Sequence, residues 1–97
     1  MMLNFLPVAL EELVGAAAYY EDIERGLGKR FRLEAESLCN EIVRHPLLWR
    51  ERSQGYRRVN FAGFPYYVAY VLEEENIWAV AIGHTARRPE YWHGRLR

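Results

Sequence analysis

The sequence predicts one α+β domain spanning residues 1–97, and three observations carry that reading. Apolar residues recur at helical spacing through the first half of the chain and at strand spacing through the second. Glycine and proline fall between these segments, where turns are needed. With 51% hydrophobic and 27% charged residues in 97, the chain has enough apolar material for one core and too much for disorder.

Residues 2–6 form a short apolar run stopped by Pro7, which reads as an initial strand, short for either an outer or a central position. Pro7 suits the first turn of a helix, where a missing N–H costs little. Leu10, Leu13, Val14, Ala17 and Tyr20 then follow at helical spacing, with Glu11, Glu12, Glu21 and Glu24 expected to face away. Gly26-Leu27-Gly28 breaks this helix. A second helix carries Phe31, Ala35, Leu38 and Ile42 on one stripe and ends near His45-Pro46, since the residue before proline resists helical geometry. Together they make an antiparallel helical hairpin.

From Tyr56 to Phe61 the side chains alternate, with Arg57, Val59 and Phe61 on one face and Tyr56, Arg58 and Asn60 on the other. Ala62-Gly63-Phe64-Pro65 turns the chain into a second strand, Tyr66 to Leu72, and Glu73-Glu74-Glu75-Asn76 turns it back. Residues 77–84 are apolar on both faces, as expected of a central strand. The result is a three-stranded antiparallel meander with both helices on one sheet face. Two helices cover one face only, so an exposed apolar patch is expected on the other, as a partner site or as the interface of a symmetric dimer.

Net charge is zero, but its distribution is uneven. Residues 1–43 hold eight acids and four bases, whereas residues 44–97 hold five acids and nine bases, all arginine. Guanidinium forks suit carboxylate or phosphate, so the second half is equipped to meet an acidic partner. Cys39 is the only cysteine, which rules out an internal disulfide and, with no secretory signal, leads us to expect a cytoplasmic protein. No apolar run is long enough to span a bilayer. His45, His84, His93 and Cys39 lack metal-ligand spacing, and no phosphate-binding glycine loop occurs, so neither metal nor cofactor is expected. Glu73-Glu74-Glu75 reads as a solvated turn.

Arg57 and Arg58 are neighbours on a strand and must point to opposite faces. The one on the helix side needs a structural partner, such as a helix carboxylate, and the other is free to reach a ligand. His84, Arg87, Arg88, Tyr91, Trp92, His93, Arg95 and Arg97 form a basic, aromatic tail. Such a mix can hold phosphates and stack bases, but the simpler expectation is that Tyr91 and Trp92 dock the tail on the domain with the arginines solvated. His84, ending an apolar strand, is more simply a structural residue than a catalyst.

The element order resembles that of the RelE/ParE toxin superfamily, and patches along nearly the whole chain agree. They are Phe5-Leu6-Pro7 with Tyr19-Tyr20-Glu21, Gly26-Leu27-Gly28 with Phe31, and His45-Pro46. Tyr56-Arg57-Arg58 leading to Phe64-Pro65-Tyr66, and Ala79-Val80-Ala81-Ile82 followed by His84, Arg87, Pro89, Tyr91 and Trp92, complete the set. The resemblance is greater to the ParE-like branch (plasmid stabilisation proteins) than to the ribosome-dependent ribonucleases.

The resemblance implies a toxin of a type II toxin–antitoxin system, silenced by a cognate antitoxin and inhibiting growth by binding an essential target, for this branch DNA gyrase. Arg57, Arg58, Arg87, Tyr91 and Trp92 are then the candidates for antitoxin or target contact. The alternative is a messenger RNA endoribonuclease acting on the ribosome, with His84, Arg87 and Tyr91 in catalytic roles. Against it, residues 66–72 carry no charge and the last strand offers only His84, which is thin for a site needing an acid, a base and a phosphate clamp. A third reading is a non-toxic remnant that only binds its antitoxin. Homodimer and heterotetramer with antitoxin both stay open.

Overall fold

Strand β1 (Met2–Phe5) ends where Pro7 opens helix α1 (Pro7–Ile23), placing the proline in the first turn as the sequence predicts. The computed structural model describes residues 1–96. Helix α2 (Leu27–Arg44) follows after a turn of three residues. Gly26 there adopts φ 90°, a left-handed conformation that glycine takes without strain. Gly28 lies so close to the Ala17 carbonyl that no side chain fits between the helices. The Glu21 carboxylate accepts from the N–H groups of Gly26 and Gly28 at 3.0–3.1 Å, satisfying donors that the start of α2 leaves open. Those bonds, Gly26 first, hold its carboxyl below the usual range.

Helix α2 buries Phe31, Ala35 and Ile42, with Leu38 packed beside them, and ends at His45 before Pro46. Helix α1 differs from expectation. Its buried stripe runs through Ala9, Ala16 and Ala17, supported by Leu13 and Tyr20, while Leu10 and Val14 are 47% and 59% exposed. The stripe is rotated toward Glu12, because small alanines allow close approach to the sheet on that side and the sheet there requires an acceptor.

Strands β2 (Tyr56–Asn60), β3 (Tyr66–Glu73) and β4 (Asn76–His84) form the antiparallel meander. The sheet order is β1-β4-β3-β2, with β1 an edge strand parallel to β4, so β4 is central over its first half. A bulge sets Ala69 opposite Ala81 and Tyr70 opposite Ala79, leaving Val80 as the extra residue. Ile77, Ala79 and Ile82 therefore face α1 and α2, whereas Val80 and Ala81 both face away. That switch accounts for an apolar pattern on both sides of β4.

The second sheet face carries its own core, which the two-helix picture did not provide for. A short helix α3 (Glu90–His93) lays Trp92, fully buried, over Tyr56, Tyr67, Ala69, Val80 and Ala81. The Trp92 indole N–H donates to the Tyr67 hydroxyl at 2.6 Å. The apolar patch expected on this face is accordingly filled by the chain's own tail. Apart from Met1 and Met2, the large exposed apolar side chains lie on α1, α2 and the segment after α2. No helix among the described residues is long and apolar enough to cross a membrane.

Candidate functional site

The two adjacent arginines divide as strand geometry requires. Arg57 lies opposite Tyr70 on the helix side, where its guanidinium donates to the Trp49 carbonyl at 2.7 Å and approaches Glu51 at 3.7 Å. Its partners belong to the connection between α2 and β2, not to a helix carboxylate. With its side chain only 16% exposed, Arg57 pins that connection, together with the Tyr70 hydroxyl on the Pro46 carbonyl. Arg58 lies opposite Ala69 on the second face, its guanidinium 3.9 Å from the centre of the Tyr67 ring and its Nε donating to Asn60. Among the described residues it forms no ion pair.

The second half of β4 loses its neighbour where β1 gives way to α1, and side chains take over. The Leu6 N–H reaches the Ala79 carbonyl at 3.0 Å, the last backbone bond on that side. Beyond it, Arg95 donates to the Val80 carbonyl at 2.9 Å and the Ile82 N–H donates to Glu12 at 3.0 Å. Glu12 also receives the fork of Arg95 at 3.0 Å on each oxygen and the Tyr91 hydroxyl at 3.0 Å. Four hydrogen bonds thus converge on one carboxylate whose side chain is 18% exposed. Burial, then the Glu12 charge and hydrogen bond, drive the Tyr91 phenol well above its ordinary value, so it stays protonated. Burial likewise raises Tyr66 and Tyr67.

Tyr91 also carries the Arg87 guanidinium on its ring face, 3.6 Å from the centroid. Arg87 is exposed and, among the described residues, pairs with no carboxylate. His84 packs edge-on against Tyr66 and its Nδ1 accepts from the Ala86 N–H at 2.9 Å, which places the neutral ring's proton on Nε2. Glu12, Tyr66, His84, Arg87 and Tyr91 border one open pocket of about 330 Å³, beside Gly15 and Tyr19 of α1. A larger pocket of about 410 Å³ on the second face is floored by Val71, Trp78 and Val80 and lies away from this cluster.

The structure therefore brings His84, Arg87 and Tyr91 together and separates them from Arg57 and Arg58 on β2. Trp92 is fully buried and offers a partner no surface, so among the contact candidates it is corrected to a residue that positions the tail. Arg57, committed to Trp49 and Glu51, is likewise structural here. Sequence reasoning missed Glu12, assigned to the solvent side, and Arg95, read as part of a solvated tail. The one available signal was the run of alanines at 9, 16 and 17 flanking Glu12, a stripe too small to keep it away from the sheet. Cys39 is pushed up to about 11 by burial, which leaves it a thiol. No group of three His, Cys, Asp or Glu among the described residues is placed to hold a metal.

Comparison with known proteins bears directly on this arrangement. Residues 3–89 match the family described as the ParE toxin of the type II toxin–antitoxin system parDE. The chain belongs to the ParE toxin family. A solved structure described as the chromosomal ParDE toxin–antitoxin system from P. aeruginosa is similar in fold, with a TM-score of 0.66 at 12% identity. The similarity covers 87% of this chain and 95% of that one. No curated protein matches. The ParE match stops at Pro89, so α3, with Tyr91, Trp92 and Arg95, lies outside the matched span. The tail that fills the second face of this ParE-family chain is thus argued from its own geometry.

Proposed function

We propose that this chain is the toxin of a type II pair, neutralised by a cognate antitoxin and arresting growth in the cytoplasm by binding an essential target. DNA gyrase is the target expected for this branch. Family membership carries the reading, and the state of the C-terminal cluster supports binding over catalysis. Tyr91 gives its proton to a hydrogen bond with Glu12, and Glu12 is held by Arg95, so neither is free as a general acid or base. The groups left to meet a partner are the two stacked guanidiniums, Arg58 and Arg87, with the rim of Tyr91.

The test is induction of the chain alone and together with the product of the neighbouring gene. Growth arrest by the chain, relieved by co-expression, is the expected outcome. Growth without arrest, with soluble protein present, would leave only the antitoxin-binding remnant. A messenger RNA endoribonuclease remains as the second reading because His84, Arg87 and Tyr91 border one pocket. It requires Arg87→Ala to abolish toxicity while antitoxin affinity stays intact.

A further inference from the structure

Helix α3 covers only part of the second sheet face. Its four residues span roughly 6 Å, against roughly 30 Å for the nine residues of β4. Trp92 closes the part over Tyr67, Ala69 and Ala81. Val71 and Trp78, paired across β3 and β4 nearer the turn at Glu74, stay half-buried on the floor of the pocket of about 410 Å³. A cavity of that size lies in the range that holds small molecules. On one side Gln54 and Gly55 take φ 68° and 81° in succession, and this sharp turn forms a wall. Arg95 and Leu96, near the end of the chain, form the other.

Once internal pairs are set aside, the charge left at this pocket is negative. Arg95 is matched by both oxygens of Glu12 and by the Val80 carbonyl. Glu51, also at the rim, faces Arg57 at 3.7 Å. Glu73 is exposed and, among the described residues, pairs with no base. Strand alternation puts Glu73 on the same face as Val71, two residues on and so roughly 7 Å away along β3. An unpaired carboxylate thus stands one short tether from an apolar floor. That floor includes the Trp78 indole, whose ring face also favours a cation.

We propose that this pocket binds a small amphipathic amine, its apolar body on Val71 and Trp78 and its ammonium at Glu73. The site is separate from the Arg87 pocket and stands independently of the toxin reading. An anion would meet Glu73 and Glu51, with no uncommitted base among the described lining residues. A neutral apolar molecule would leave Glu73 without a partner. Walls on two sides suit a compact molecule over an extended peptide.

The test titrates three probes of one shape, phenylbutylamine, phenylbutanol and phenylbutyrate, into the isotopically labelled full chain. Nuclear magnetic resonance follows the Val71 amide and the Trp78 indole N–H. Wild type, Glu73→Gln and Arg97→Ala are compared, the last because Arg97 follows Leu96 and lies outside the described residues. The amine should shift both signals saturably, with a dissociation constant on the order of 1 mM or below for a ligand of this size. Phenylbutanol should bind about threefold more weakly and phenylbutyrate about tenfold or more. Glu73→Gln should cost the amine about threefold and bring it level with the alcohol. Binding without preference for the amine, or amine affinity unchanged in Glu73→Gln, would overturn the proposal. So would the absence of a saturable Trp78 shift in wild type and Arg97→Ala alike. Binding in Arg97→Ala alone would make the chain's own end the occupant and overturn it too.

Discussion

Glu12 and Arg95, 83 positions apart, meet at 3.0 Å where β1 stops pairing with β4. The pair does the work of a missing strand, with Arg95 on the Val80 carbonyl and Glu12 on the Ile82 N–H. It also ties the last turn of the chain to the first helix. Removing one partner leaves the other charge and a strand group unmatched. We expect Glu12→Ala and Arg95→Ala each to cost about 1–3 kcal/mol, below the value for a fully buried pair because both side chains keep some water contact. A double-mutant cycle by urea unfolding should return a coupling above about 1 kcal/mol. Simple additivity would reduce the pair to a surface contact.

Trp92 closes the second face. Trp92→Ala should cost about 3–5 kcal/mol, as for other buried tryptophans, whereas Trp92→Phe should cost less. Equilibrium unfolding checks both. A loss under 1 kcal/mol for the alanine variant would mean the tail is not packed as described.

The tyrosines set an alkaline limit. Burial, the largest cause in each case, raises Tyr91, Tyr66, Tyr67 and Tyr70 above the ordinary value of a phenol. The unfolded chain ionises these phenols near pH 10 while the folded one keeps them protonated, so above that pH the unfolded state binds fewer protons and stability falls. Below pH 10 this contribution is fully present. Unfolding free energy followed from pH 8 to 11 should decline beyond about pH 10, and Tyr91→Phe should make the decline shallower. An unchanged slope in that variant would separate Tyr91 from the alkaline transition.

Arg57 and Arg58 should behave oppositely. Arg57→Ala frees the connection after α2 by removing the bond to the Trp49 carbonyl, at a cost of about 1–3 kcal/mol for a charged donor. Arg58→Ala should lose about 1 kcal/mol or less, the worth of a half-buried guanidinium on the Tyr67 ring, while weakening partner binding. Thermal melts beside antitoxin titration distinguish the two, and equal stability losses would contradict the division.

Much of the fold was legible because period and punctuation agree. Pro7, Gly26 and Pro46 mark helix ends, and the alternation from Tyr56 onward marks strands. The parallel pairing of β1 was not legible, since four residues carry no record of their neighbour. The bulge at Val80 hid the face each residue of β4 takes, because alternation shifts there without a glycine to announce it. Of the site, Arg87 and Tyr91 could be named from composition, but Glu12 could not. Its inward turn answers a need of β4, seventy residues away, that helical spacing alone does not express.

The most direct test of the account is pulse labelling of DNA, RNA and protein synthesis after induction of the chain alone in a bacterial host. An early fall in DNA synthesis, relieved by the antitoxin, is the expected result. An early fall in protein synthesis with DNA synthesis intact would contradict it and move the chemistry to the pocket of His84, Arg87 and Tyr91.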